Sequence, residues 1–162
     1  MKKTLRERSA LVYVLVALIP YSKPNLLLAY KPGLFFRELE KISRYKQATL
    51  RAAYSRAQQQ GLIEQDKNLM VLTAKGRRKV VPFVAEKLKG EAQLMIIFDI
   101  PEDQAIKRRK FRKVLKDWQV KQVQKSVWVT SKDYREELVA VVKELQLGGY
   151  VELYVCARHF PK

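Results

Sequence analysis

The 162 residues, 48% of them apolar, supply enough hydrophobic surface for packed cores and exclude a disordered chain. Lys and Arg number 33 against 16 Asp and Glu, a formal charge of +17 that draws the chain to polyanions, nucleic acid foremost and an anionic membrane surface second. The single Cys156 excludes an internal disulfide or thiolate zinc cluster and fits a reducing, cytoplasmic compartment, while His159, the only histidine, leaves a Ser/His/Asp triad one base near the C-terminus.

The charge is uneven: residues 1–90 hold 19 basic and 6 acidic side chains, residues 91–162 hold 14 and 10, so the first half is the better polyanion surface. The opening MKKTLRERSALVYVLVALIPYS sets basic residues before an apolar stretch, Ala10 to Ile19, too short to span a membrane. Glu7 and Arg8 beside that stretch, and Pro20, Tyr21 and Lys23 where a small-residue cleavage site belongs, argue against an exported leader. It reads as a buried first helix capped by Ser9 and stopped by Pro20, with no stable membrane association expected. Tyr21 to Pro32, rich in proline, reads partly as loop.

Leu34, Phe35, Leu39 and Ile42 then mark a short amphipathic helix, followed by a turn at Ser43 to Tyr45. From Lys46 the apolar positions Leu50, Ala53, Tyr54 and Ala57 fall at i, i+3, i+4, i+7, and Gly61 stands where a helix-ending glycine belongs. Two helices across a tight turn form a helix-turn-helix, and the non-core face of the second shows Lys46, Gln47, Thr49, Arg51, Ser55 and Arg56, side chains able to reach base edges or phosphates in a major groove. A solvated basic face is the competing reading. GLIEQDKNLMVL gives two short apolar runs around a polar turn, a hairpin in the position of a wing whose tip carries Lys67 and Asn68. Thr73 caps a last helix, made short or kinked by Gly76 and Pro82, in which Lys75, Arg77, Arg78 and Lys79 are candidates for phosphate contacts.

Polarity rises and Gly90 interrupts the chain over residues 83–92, which places a junction between a DNA-binding domain at 1–88 and a second domain at 89–162. QLMIIFDIPED is a buried strand ending in a turn, and Ile106, Phe111, Val114, Leu115 and Trp118 stripe a very basic helix started near Asp103. VKQVQKSVWVTS forms one bent strand or two short ones. Asp133 opens a helix closed by Gly148 and Gly149, and YVELYVCARHF is the last strand. The fold class is therefore α+β, an N-terminal winged helix-turn-helix plus a C-terminal ferredoxin-like βαββαβ domain.

Asp99 ends the first strand of that domain and is followed by Pro101, Glu102 and Asp103, where oxygens could hold Mg²⁺, although a strand-end aspartate more commonly caps a turn. The run KRRKFRK, Lys107 to Lys113, is either a second polyanion contact or a solubilising face.

MIIFDIPED, KRRKFRKVLKDW, VQKSVWVTS and GGYVELYV together resemble the small ferredoxin-fold subunit of CRISPR adaptation complexes, the Cas-two family. With the helix-turn-helix before them they resemble still more the phenylacetate-catabolism repressor (PaaX) family, which joins a winged helix to such a domain. The second resemblance implies a transcriptional repressor, a homodimer built through the ferredoxin-like domains that presents two winged helices to a palindromic operator in double-stranded DNA, with no cofactor required for binding. Those repressors continue into a further C-terminal domain, whereas this sequence stops at Lys162, so their sensing of an aromatic acyl-CoA is not carried over. The first resemblance implies the alternative, an adaptation subunit that partners a CRISPR integrase, or a Mg²⁺-dependent nuclease in which Asp99 is the catalytic and metal-binding residue.

Overall fold

The computed structural model describes residues 9–19 and 23–157, without the side chains of Lys23 and Pro24; the readings placed on Glu7, Arg8, Pro20, Tyr21 and His159 lie outside the described residues. The chain divides between Val80 and Val81 into two compact units, each with its own apolar core. This division precedes the 88/89 junction read from the sequence because Val81, Ala85 and Leu88 already pack with the second core.

Among its described residues the first unit holds four helices, a hairpin and the greater part of a fifth helix. Helix α1 spans Ala10–Ala17, where the Ser9 hydroxyl accepts the Val12 N–H, and it buries residues on all sides, as its unbroken apolar character requires. Helix α2, Lys23–Tyr30, occupies the stretch expected to be partly loop. Its Pro24 sits in the first turn, where no intrahelical N–H is needed, and Pro32 likewise begins α3, Pro32–Ile42. Proline here starts helices instead of breaking them. Phe35, Phe36 and Leu39 of α3 are buried, while Ile42, expected on the same apolar face, ends the helix 68% exposed. Helix α4, Gln47–Gln59, buries Leu50, Ala53 and Ala57 and ends in Gly61 at φ 62°, with Leu62 N–H donating to the Ala57 carbonyl and Gly61 N–H to that of Gln58.

Strands β1, Ile63–Asp66, and β2, Leu69–Leu72, form an antiparallel hairpin with Asp66 opposite Leu69 and Lys67 at φ 54° in the two-residue turn. Helix α5, Ala74–Val84, follows and runs through Pro82. The Thr73 hydroxyl accepts the Gly76 N–H and donates to the Gly61 carbonyl at 2.8 Å, fastening the start of α5 to the end of α4. Gly76 abuts the Leu62 carbonyl so closely that a Cβ would lie 1.9 Å from its oxygen.

In the second unit β3, Ala92–Phe98, leads through a 3-10 turn at Glu102–Gln104 into α6, Ala105–Asp117. Strands β4, Lys121–Gln124, and β5, Val127–Thr130, form the next hairpin, followed by α7, Arg135–Glu144, and β6, Val151–Ala157. The sheet order is β4-β5-β3-β6, antiparallel throughout, which two interleaved βαβ halves generate in a ferredoxin-like sheet. Leu94, Ile96 and Phe98 of β3 pack with Phe111, Leu115 and Trp118 and with Leu138 and Val141, so α6 and α7 cover one face. Tyr134 is buried there, its hydroxyl donating to the Trp118 carbonyl at 3.2 Å. Gln104, not Asp103, flanks the start of α6. Gly148 and Gly149 do not end α7: Gln146, at φ 54°, turns the chain so that Leu147 N–H reaches the Val142 carbonyl and Leu147 is buried.

Candidate nucleic-acid interface

Helix α4 keeps one face exposed along its length, opposite the buried Leu50, Ala53 and Ala57. At 100° per residue, Ala48, Ala52, Ser55 and Gln59 form its outermost stripe, all exposed, with Arg51 on one flank and Thr49 and Arg56 on the other, also exposed. Such a face, with mostly short side chains at the crest and cations at the sides, has the shape and charge to approach a groove floor while guanidinium groups extend toward phosphate walls. Exposed Lys46 precedes the first turn.

The candidate side chains of α4 differ in what they touch. The half-buried Gln47 donates its amide to Glu40 of α3 at 2.8 Å, which turns it toward protein. Arg51 sets its guanidinium 4.4 Å from the centroid of the Phe36 ring, and the same ring meets Tyr54 edge-to-face at 5.9 Å. Burial raises the pKa of the Tyr54 hydroxyl. Arg56 folds back toward the Ala52 carbonyl of its own helix.

A cleft of about 400 Å³ separates α4 from the hairpin, with Leu28, Phe36, Arg51, Tyr54, Asn68 and Met70 among its walls. Two residues picked from sequence, Arg51 and Asn68, thus meet across one concavity, and the tip lysine Lys67 is exposed beside Asn68. Phe36, Tyr54 and Met70 carry no sequence signal beyond that of core or strand residues. Arg77 and Arg78 lie on α5 and line no part of the cleft; Arg77 is exposed, and Arg78 is half-buried. Lys75 donates to the Gln60 carbonyl at 2.8 Å, a cation placed at the negative end of α4.

Asp99 is exposed at the end of β3, its N–H donating to the Tyr150 carbonyl at 2.9 Å. The neighbouring Glu102 is held by Arg108, which bonds both carboxylate oxygens at 2.9 and 2.8 Å and the Ile100 carbonyl at 3.1 Å. Among the described residues no three His, Cys, Asp or Glu side chains come together as a metal-holding group, at Asp99 or elsewhere.

The fold thus defines a mixed α+β chain whose second unit carries a ferredoxin-like sheet. Residues 92–161 match the family model described as the PaaX protein central Cas2-like domain, a match that lies wholly within that unit. No curated protein and no solved structure matches the chain. Among the described residues no helix is long and apolar enough to cross a membrane.

Proposed function

We propose that this chain is a cytoplasmic transcriptional regulator, a repressor that binds double-stranded DNA as a homodimer through a winged helix-turn-helix in its first unit. The observation that carries the reading is the exposed face of α4, neutral at its crest and cationic at its flanks, beside a hairpin with Lys67 and Asn68 at its exposed tip. The similarity of residues 92–161 to a domain of PaaX proteins supports the regulatory role. Lys46, Thr49, Arg51 and Ser55 would meet the major groove, Lys67 and Asn68 the backbone or adjacent minor groove, and Arg77 and Arg78 phosphates behind the hairpin.

Selection of bound duplexes from a randomised pool, followed by footprinting, tests this. The expected result is protection of an inverted repeat, with binding that weakens steeply as salt rises and persists in EDTA. Equal affinity for selected and scrambled duplexes at about 0.15 M salt would overturn it.

A second reading, a metal-dependent nuclease related to CRISPR adaptation subunits, draws on the exposed Asp99 at the strand end and on the Cas2-like description of the matched domain. A second copy would have to supply further oxygens. Cleavage of DNA or RNA with Mg²⁺ or Mn²⁺ that disappears in Asp99→Ala would favour this reading over the first.

A further inference from the structure

Charge in the second unit is segregated between its two helices. Helix α6 carries Lys107, Arg108, Arg109, Lys110, Arg112, Lys113 and Lys116 against Asp117, whereas α7 carries Glu136, Glu137 and Glu144 against Arg135 and Lys143. A surface charged only for solubility gains nothing from such sorting, because interspersed signs serve that purpose better.

The basic residues of α6 also divide by role. Arg108 is occupied by Glu102 and the Ile100 carbonyl. Arg112 lies 5.6 Å from the Phe98 ring centroid and donates to the Lys125 carbonyl at 3.0 Å, which fixes the tip of the β4–β5 hairpin beside the helix. Arg109, Lys113 and Lys116, at i, i+4 and i+7, form one exposed stripe opposite the buried Phe111 and Leu115, with exposed Lys110 next to it. One helical turn, about 5.4 Å, separates successive cations. Lys113 is paired with Asp117 at 2.9 Å, both more than half exposed, a pairing weak enough for a phosphate to displace. Lys125 adds another exposed cation at the hairpin tip.

We infer that the outer face of α6, with the tip of the β4–β5 hairpin, is a second duplex-binding surface that grips the phosphate backbone without reading sequence. A rigid helix backed by a packed sheet presents a straight row of cations, which suits a linear polyanion better than a compact anion. This goes beyond the operator-reading role given to α4 and does not depend on it.

The test uses the full chain and a duplex of scrambled sequence, with affinity followed by fluorescence anisotropy across a salt series. Arg109→Gln/Lys110→Gln/Lys116→Gln should flatten the slope of log affinity against log salt by roughly two to three, about one for each phosphate no longer neutralised. All three side chains are exposed, and circular dichroism checks that the fold is kept. Asp117→Asn frees Lys113 and should act oppositely, tightening binding and steepening the slope. An unchanged slope in the triple variant, or polyglutamate competing as well as duplex charge for charge, overturns the inference. Failure of the operator reading would instead appear as wild-type protein that does not distinguish selected from scrambled duplex, which leaves the α6 slope readable.

Discussion

Arg51 is held by a ring and not by a carboxylate: its guanidinium stacks over Phe36 at 4.4 Å, at the rim of the cleft it shares with Asn68. An exposed cation–π contact of this kind contributes about 0.5–1 kcal/mol, enough to orient the planar fork but too little to keep it from a base edge or phosphate. Gln47, by contrast, already gives its amide to Glu40 and must break a 2.8 Å hydrogen bond to reach DNA. Arg51→Ala should therefore weaken binding to the selected duplex by about 1–3 kcal/mol and relax preference at one base position. Arg51→Lys should restore binding to scrambled duplex but not the preference, since an ammonium lacks the bidentate fork. Anisotropy titrations with both duplexes check this, and an Arg51→Ala variant that loses both affinities equally would make Arg51 a phosphate ligand only.

The helices differ in how they end. Helices α4, α6 and α7 close with the same pair of backbone hydrogen bonds, but only α4 places glycine in the left-handed position; Gln119, at φ 58°, and Gln146, at φ 54°, do so in the others. Burial of Val120 and Leu147 just beyond them offsets a left-handed side-chain penalty of roughly 1–2 kcal/mol. Gln119→Gly and Gln146→Gly should each stabilise the chain by up to about 1 kcal/mol in urea unfolding, whereas destabilisation would show that the penalty is absent. The same residues mark how far a sequence discloses its turns. Gly61 announces its turn chemically, while Gln119 and Gln146 carry no such signal, and the glycines at 148 and 149 offer a helix end that lies two residues too late. Helix α2 was hidden because Pro24 and Pro32 look like breakers until their place in a first turn is known. The alternation of strand and helix in the second half was legible because short valine-rich runs and apolar helical stripes have different periods. The cleft beside Arg51 was not, since Leu28, Phe36, Arg51 and Asn68 share no spacing in sequence and meet only through packing.

A ferredoxin-like sheet with both helices on one side has another side to account for. Alternation along β3 places Met95 and Ile97 on that opposite face, and the register sets Val129 and Tyr154 beside Met95 and Val127 beside Ile97. These apolar side chains are half-buried except Tyr154, which is 47% exposed, and none belongs to the buried core cluster. Apolar side chains left partly accessible on one sheet face suit an interaction site, and in the proposed homodimer a second copy of the same face would cover them with the two-fold symmetry that an inverted-repeat operator demands. The dimeric reading thus makes an energetic demand on one sheet face and a geometric demand on two α4 helices at once. Met95→Glu, at the centre of the face, should convert the protein to a monomer by light scattering while circular dichroism stays native, because the half-buried position leaves the carboxylate access to water that a dimer would remove. In that monomer the selected duplex should lose affinity far more than the scrambled one, since a joined second half-site is what raises specific binding. Wild-type protein that stays monomeric at concentrations where it protects the full inverted repeat would remove the sheet face from the account and leave each α4 to act alone.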